Sequence, residues 1–271
     1  MVTERWSLSE VEVSRSEAGI YFFNMKRIIL VCILLIFACN SEDANDCFQT
    51  AGNIIQQEVE VADFESILIN RDIELIITEA PEYKVTVETG ENLINDVTVE
   101  VIGNRLVLTD DNTCNYVRDY GITKIYVEAP NLTEIRNSSQ YEVSSNGILS
   151  FQDLSLISED FNENVDFTVG DFRLSLDSEN LDIISNNISS FYIDGEVENL
   201  FVGFFSGSGR FEGENLIAQH VEVNHRGSND MIVNPQLSLT GILRGTGDLI
   251  SVNEPPLVDI ERVYIGQLIF E

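Results

Sequence analysis

Short turns built from small and amide-bearing residues recur along the C-terminal half of the chain at nearly constant intervals. The last three are Gly207–Gly209, Gly227–Asp230 and Gly245–Asp248, and they begin 20 and 18 residues apart. Earlier turns of the same kind are Ser138–Ser139 and Ser185–Asn187. A unit of roughly 20 residues cannot bury its own apolar face and has to stack on a neighbouring unit, so this period predicts a solenoid.

The runs between these turns alternate apolar and polar residues and are too short for helices, which predicts β-strands with one buried face. We therefore expect an all-β fold in which residues 135–271 form a β-solenoid. An open end rung would be a sticky edge, so the segment Val263–Glu271 is expected to cover one. The side chains expected to point inward are Phe167 and Val169, Leu174 and Leu176, Leu181 and Ile183, Tyr192 or Ile193, Leu200 and Val202, Val221 and Val223, and Leu237 and Leu239.

One phenylalanine cluster has two interpretations. Phe201, Phe204 and Phe205 lie within a single predicted rung. Such a cluster can pack inside the core or against a cap, or it can form an apolar platform for a ligand, and the sequence leaves both open.

Residues 56–134 read as a separate N-terminal β region. Period-2 alternation predicts strands around Ile73–Ile77 and Tyr83–Val87. The pair Gly103 and Asn104 lies between two further alternating runs and predicts a two-residue hairpin.

A basic start and an apolar run precede this body. Lys26 and Arg27 come before residues 28–37, an apolar stretch too short to span a bilayer comfortably. Residues 36–39, Ile-Phe-Ala-Cys, resemble the lipobox of bacterial lipoproteins. The resemblance implies cleavage before Cys39 and acylation of its thiol and amine, with palmitate as one of the acyl groups. The alternative is an ordinary signal anchor with an incidental cysteine.

The segments around this signal complete the predicted organisation. We expect residues 25–39 to be a lipoprotein signal peptide, residues 1–24 to be an upstream extension, and residues 40–55 to be an acidic flexible tether. The acids after Cys39 resemble the surface-export signal of some Gram-negative lipoproteins, although a polar tether has the same composition. We predict an outer-membrane lipoprotein, surface-exposed or otherwise periplasm-facing, whose membrane partner is reached through the N-terminal lipid.

The four cysteines separate by location. Cys32 lies in the signal segment, and Cys39 is the lipid-attachment candidate. Cys47 and Cys114 then remain as an even pair in an oxidising compartment, which makes them disulfide candidates. Two free thiols are the alternative.

Charge excludes several classes of function. The chain has 15 basic and 46 acidic residues, a formal net charge of −31. Nucleic-acid binding requires Lys and Arg to displace counterions, so nucleic acid is excluded as a partner. Simple adsorption to an anionic membrane is disfavoured for the same reason. The acids serve as a solvated surface, or some of them bind Ca²⁺ or a cationic partner.

Neither a metal site nor a cofactor is predicted. His220 and His225 are the two histidines, and their odd separation would point them to opposite faces of a strand. The Gly-Asp turns lack the nine-residue period of Ca²⁺-binding repeats. A β-helix lyase or hydrolase would need a basic side chain within the solenoid. The chain has three lysines, and all of them lie outside the predicted solenoid: Lys26, Lys84 and Lys124.

Several of these pieces occur in an order that resembles a known family. They are residues 64–67 (Phe-Glu-Ser-Ile), the strands near 73–77 and 85–88, the hairpin at Gly103, residues 125–135 (Ile-Tyr-Val-Glu-Ala-Pro-Asn-Leu-Thr-Glu-Ile) and the Gly-Ser-Gly or Gly-Thr-Gly-Asp turns. This looks like the head-GIN-domain family, the "putative auto-transporter adhesins" of bacterial lipoproteins, from about Val59 to Ile269. The resemblance implies a right-handed parallel β-helix with an irregular N-terminal β cap region. The word adhesin is itself an analogy and carries little about function.

The functional expectation is therefore a non-enzymatic binding, adhesion or scaffolding module, with a carbohydrate or a surface protein as its ligand. Right-handed β-helices also include polysaccharide lyases and hydrolases. A carbohydrate-active enzyme, which needs clustered carboxylates in a groove, is the alternative.

Overall fold

The computed structural model describes residues 46–112, 114–161 and 167–271. The upstream extension 1–24, the signal peptide 25–39, Cys39 and most of the acid-rich stretch after it lie outside these residues. Within the described residues there is no α-helix, only two short 3-10 turns at Asp46–Phe48 and Ile94–Asp96. The prediction of an all-β fold is confirmed.

Seventeen strands join in one sheet. They are β1 Ile54–Val59, β2 Ser66–Asn70, β3 Ile73–Glu79, β4 Lys84–Gly90, β5 Val97–Ile102, β6 Arg105–Asp110, β7 Thr123–Ala129, β8 Glu134–Ser138, β9 Val143–Leu149, β10 Asp153–Ser158, β11 Phe172–Ser185, β12 Ser190–Phe204, β13 Arg210–His225, β14 Met231–Leu243, β15 Leu249–Ser251, β16 Leu257–Arg262 and β17 Leu268–Phe270.

From β11 onward each strand pairs in parallel with the next equivalent strand along the chain. The paired positions advance by 17 to 21 residues per step, a range that includes the 18- and 20-residue intervals of the glycine-marked turns. One column of directly paired, buried or half-buried positions is Phe172, Phe191, Phe211, Met231, Leu249 and Leu268.

The N-terminal strands extend this stack out of chain order. β2 lies between β6 and β8, and β3 lies between β7 and β9, with every one of these pairings parallel. Three strands, β1, β4 and β5, pair only in antiparallel fashion, so the sheet is mixed. The sheet as a whole is nearly closed on itself. The cap region expected to be irregular is therefore more regular than predicted, because four of its strands continue the parallel pairing.

A single apolar core runs through the sheet, from Phe64 to Leu249. Most side chains predicted to face inward are buried, and of the pair Tyr192 and Ile193 it is Ile193 that points inward. Two inward predictions are wrong: Phe167 is 41% exposed and Leu237 is 48% exposed. Phe167 precedes the first residue of β11 and belongs to no strand, and Leu237 lies at a register shift between β13 and β14, which breaks the alternation.

The C-terminal segment does not fold over an end rung as predicted. Leu268–Phe270 instead pairs in parallel with β15 and continues the stack, because that arrangement satisfies its backbone hydrogen-bonding groups. Val258 and Phe270, at positions that face inward elsewhere, remain 38% and 39% exposed.

The N-terminal end is held by a covalent link. Cys47 and Cys114 form a disulfide, with Cα atoms 4.4 Å apart and a sequence separation of 67. The link joins the segment before β1 to the connection between β6 and β7. No helix among the described residues is long and apolar enough to cross a membrane.

Candidate functional site

Three chain connections lie side by side at one corner of the stack and enclose a polar cleft. They are the β2–β3 turn with Arg71 and Asp72, the long β6–β7 connection at 111–122, and the β8–β9 turn with Gln140. They meet because β2 and β3 are inserted between β6–β7 and β8–β9, which places the three corners at adjacent levels. The cleft has a volume of about 390 Å³, within the usual range for a small-ligand site.

The back of the cleft is a closed hydrogen-bond network around Asp110, which is 2% exposed. Its Oδ1 accepts from the backbone N–H of Asn112 at 2.9 Å and from Asn112 Nδ2 at 2.7 Å. Its Oδ2 accepts from Thr123 Oγ1 at 2.6 Å, and Thr123 in turn meets Thr89 Oγ1 at 2.9 Å. Both carboxylate oxygens of Asp110 are therefore engaged by the protein itself.

The second carboxylate, Asp72, is less fully satisfied. Gln140 Nε2 donates to its Oδ1 at 2.6 Å. Burial raises the pKa of Asp72 above its ordinary value, and the nearby negative charge of Asp110 acts in the same direction. Its own backbone hydrogen bond and the cations Arg71 and Arg118 lower that pKa, but they do not outweigh the burial.

Two buried oxygens in the cleft wall accept no hydrogen bond from the described residues. They are Asn112 Oδ1 and Gln140 Oε1. Their amide nitrogens are engaged, since Asn112 Nδ2 donates to Asp110 and Gln140 Nε2 donates to Asp72. The engaged nitrogens fix each amide so that its oxygen remains an acceptor. Buried acceptors without partners are costly, so these two amides are a local weak point in the packing of the cleft wall.

The outer wall is the 114–121 loop, which side chains hold in place. Arg118 donates through Nη2 to the backbone oxygens of Asn112 and Cys114, each at 3.1 Å, and through Nη1 to Gln49 O at 3.1 Å. Because Gln49 follows Cys47, this one guanidinium ties together both sides of the disulfide. Tyr120, on the same loop, is 73% exposed and lines the cleft, and its hydroxyl donates to Asn115 O at 3.2 Å.

Gly121 closes that loop against Tyr141. Its φ is +69°, and a Cβ built there would lie 2.6 Å from Tyr141 Cε1, so both the backbone conformation and the space require glycine. Burial, together with the charge of Asp72, raises the pKa of the Tyr141 hydroxyl above its ordinary value. Tyr141 is therefore a neutral packing partner beneath the loop.

The residues singled out in the sequence lie mostly away from this cleft. Cys39 falls outside the described residues, and Cys47 and Cys114 fix the loop rather than line the cavity. His225 is buried and His220 is exposed, so they face opposite sides of β13 as their spacing predicts. Within 46–112, 114–161 and 167–271, no group of three or more His, Cys, Asp or Glu side chains is placed to hold a metal ion.

The cleft was not predicted from the sequence because its lining residues come from five separate segments between Arg71 and Phe167. The available signals were weak: Asp110 and Asn112 interrupt the apolar alternation just after a strand, and Asn115, Arg118 and Tyr120 form a polar loop next to a cysteine. Neither pattern indicates which other corner lies beside it.

The family assignment rests on most of the chain. Residues 63–255 match the model of the family described as "Putative auto-transporter adhesin, head GIN domain". The chain belongs to this family. The cleft residues from Arg71 to Gln140 all lie within the matched segment, so the candidate site is part of the head GIN domain. No curated protein matches the sequence.

Solved structures share the fold of this head GIN domain protein. A "putative adhesin" from Bacteroides fragilis NCTC 9343 superposes with a TM-score of 0.73 at 19% identity, covering 82% of this chain and 99% of that one. A "putative lipid binding protein" from Parabacteroides distasonis ATCC 8503 has a TM-score of 0.56 at 15% identity, covering 81% and 97%. A "putative adhesin" from Parabacteroides merdae ATCC 43184 has a TM-score of 0.54 at 14% identity, covering 81% and 98%.

Proposed function

We propose that this protein is a non-enzymatic binding module of the cell envelope and that its polar cleft holds a hydroxyl-rich ligand, a carbohydrate. The observation that carries the proposal is a single small-ligand-sized cavity lined mainly by amide, carboxylate and guanidinium side chains, with the exposed Tyr120 beside them. Sugar hydroxyls are donors that can also accept, so a sugar ring suits a cavity whose lining offers both acceptors and donors.

The rest of the cleft suits such a ligand. Arg71 lies at the rim, where its Nη1 pairs with Asp111 Oδ1 at 3.1 Å, and the exposed ring of Tyr120 offers an apolar face on which a sugar ring packs. Membership of an adhesin-named family agrees with a binding role at the cell envelope. A surface protein is the other ligand class, and it would have to insert a donor-bearing side chain into the same cavity.

The carbohydrate-active enzyme is the second candidate, because three carboxylates, Asp72, Asp110 and Asp119, line the cleft and the pKa of Asp72 is raised. Glycoside hydrolysis needs one carboxyl as an acid and another free to act as nucleophile or base. Asp110 has both oxygens bound by Asn112 and Thr123, which favours a structural role. Of the other two, Asp72 already accepts from Gln140, and Asp119 lies on the exposed outer loop. We therefore place binding ahead of catalysis.

The anchor is a further part of the proposal. Acylation of Cys39 would tether the body to the outer membrane, with the acid-rich segment after it as the spacer and the cell surface as its location. Cys39→Ala should abolish incorporation of labelled palmitate and release the protein from the membrane fraction. Protease treatment of intact cells should remove the body if it faces outward. Unchanged membrane fractionation of the variant would refute the anchor.

We infer that the parallel strands form a right-handed parallel β-helix. The near-constant advance of 17 to 21 residues per paired position supports it, as does the right-handed preference of parallel crossovers. A crystal structure of residues 46–271 tests the handedness, and a left-handed winding would contradict it.

A glycan array tests the binding function. The wild-type body should bind a subset of oligosaccharides, Tyr120→Ala and Gln140→Met should lose that binding, and Tyr264→Ala should keep it, because Tyr264 is an exposed tyrosine that does not line the cleft. No glycan bound, or equal binding by all variants, would refute the proposal. Turnover of the bound glycan that Asp72→Asn abolishes would replace binding by catalysis.

A further inference from the structure

A second cavity lies on the outer face of the C-terminal half and shares no lining residue with the polar cleft. It is a groove of about 560 Å³. Its apolar floor and its charged rim include Ile184, Phe205, Arg226 and Arg244, with Glu159 and Phe161 at one end. We call it the arginine groove.

The backbone register sets its side chains in a column. The N–H of Phe205 donates to Ser185 O at 2.9 Å, that of Arg226 to Phe204 O at 2.7 Å, and that of Arg244 to His225 O at 2.7 Å. Phe205, Arg226 and Arg244 therefore occupy equivalent positions at three successive levels of the stack, roughly 4.8 Å apart. The two arginines lie next to each other, with the phenylalanine one level before them.

The phenylalanine cluster of the sequence divides between core and groove. Phe204 is fully buried, whereas Phe205 is half-buried and lines the groove. Beside it, a Cβ built on Gly203 would lie 2.9 Å from ring atoms of both Phe201 and Phe205, so the two rings close over the glycine. The cluster thus contributes both to the core and to an apolar floor.

Arg226 and Arg244 differ from the other described cations. The protein engages every other Lys and Arg side chain in residues 46–112, 114–161 and 167–271 through an ion pair or a hydrogen bond to a carbonyl. No ion pair or side-chain hydrogen bond of Arg226 or Arg244 occurs among those residues, and both are exposed. In a chain of net charge −31, two adjacent arginines without a carboxylate partner are an exception that needs a cause.

The acid at the end of the groove does not neutralise them. Glu159 is 2% exposed, its Oε1 accepts from Arg136 Nη1 at 2.9 Å, and its Oε2 accepts from the N–H of Phe161 at 2.6 Å. Like charges on neighbouring strands repel each other. A bound anion between Arg226 and Arg244 would remove that repulsion and gain charge-assisted hydrogen bonds.

We propose that the arginine groove binds an anionic single-chain amphiphile. Its carboxylate or phosphate lies between the guanidinium groups of Arg226 and Arg244, and its alkyl chain runs across Ile184 and Phe205. A free acyl anion and the headgroup region of an anionic membrane share this chemistry. The site is independent of carbohydrate binding in the polar cleft.

Titration calorimetry tests it on residues 46–271, which contain the whole buried core and omit the apolar segment 28–37 that would bind alkyl chains itself. Dodecanoate and dodecyl phosphate, below their micelle concentrations, should bind. Arg226→Gln with Arg244→Gln should weaken that binding at least tenfold, about 1.4 kcal/mol. Phe205→Ser should also weaken it, and Arg173→Gln, a paired arginine on another face, should leave it unchanged.

Two further probes separate charge from chain and identify the source. Dodecanol should bind at least tenfold more weakly than dodecanoate, as should inorganic phosphate. Vesicles of anionic phospholipid that capture the body, where neutral vesicles do not, assign the headgroup; monomer binding without capture assigns the free acyl anion. Equal affinity in the double arginine variant, equal binding of dodecanol, or no binding of any anionic probe would overturn the proposal.

Discussion

His225 lies edge-on against Phe204 inside the core, with the ring centroids 6.2 Å apart and the planes at 73°. The two residues pair directly between β12 and β13, and Leu243 occupies the next position of the same column. An ionisable ring thus lies between two apolar side chains, Phe204 and Leu243, in this column.

This placement predicts a stability that depends on pH. Burial lowers the pKa of His225 below its ordinary value of 6.5, although the backbone of Asn229 and the charges of Asp230 and Asp248 oppose the shift. As the pH falls below 6.5, the unfolded chain takes up the proton first, so the free energy of unfolding decreases. That stabilisation is complete above pH 6.5 and is lost as the pH falls towards the folded-state value.

His225→Leu should remove this part of the pH dependence while keeping the residue apolar and of similar volume. Urea unfolding at pH 7, 6 and 5 measures it: the wild type should lose stability faster than the variant over this range. Parallel stability curves for the two proteins would show that His225 is not the cause.

Asp72→Asn should stabilise the protein at neutral pH. The pKa of Asp72 is raised, so the folded state binds the proton better than the unfolded state, and stability decreases as the pH rises from 3.8 through the folded-state pKa. Asparagine keeps an acceptor for Gln140 but carries no charge. We expect a gain of a few tenths of a kcal/mol at pH 7, by urea unfolding, and none below pH 3.8. A loss of stability at pH 7 would mean that the charge is favourable in the cleft.

The disulfide should stabilise both the fold and the cleft. Closing a loop with a separation of 67 residues is worth about 4 kcal/mol in the chain-entropy model. Cys114→Ser should lower the unfolding free energy by an amount up to that value and weaken glycan binding, because Cys114 O helps to hold Arg118. A reducing agent should reproduce the effect in the wild type and leave the variant unchanged. If reduction does not shift the urea midpoint, the link contributes nothing to stability.

Two glycines distinguish backbone conformation from close packing. Gly207 has a φ of +81°, and a Cβ there would lie 2.0 Å from Asn187 O in the preceding level. Gly103, in the β5–β6 hairpin, has a similar φ of +69° with nothing within 4 Å. Gly103→Ala should cost about 1 kcal/mol, the price of a left-handed alanine, and Gly207→Ala roughly 3 kcal/mol or more. Equal losses in thermal or urea unfolding would mean that the levels separate easily at this corner.

Gly207 belongs to a feature of the fold that the sequence could predict, the recurrence of small residues at the corners. The recurrence of small residues reflects a local requirement, since each corner must let one level approach the next, and the all-β class and the advance per level follow from it. The hairpin at Gly103 and the odd spacing of His220 and His225 were likewise readable, because they depend on near neighbours in the chain.

The order of the levels was not readable. Nothing in the residues of β2 and β3 indicates that they lie between strands that come later in the chain, and that insertion alone brings Asp72, Asp110 and Gln140 together. The exposure of Leu237 was missed for a related reason, because a register shift depends on the neighbouring strand rather than on alternation. A site whose residues come from corners far apart in the chain can be recognised only when the pairing of the strands is known.

The most direct measurement of the cleft's role is NMR spectroscopy of the side-chain amide groups during titration with an oligosaccharide selected on the array. If the cleft binds the sugar, the NH₂ signals of Asn112 and Gln140 shift on binding and saturate together, while Asn234, on β14, stays unchanged. A sugar that binds without moving the signals of Asn112 and Gln140 would contradict the assignment of the cleft.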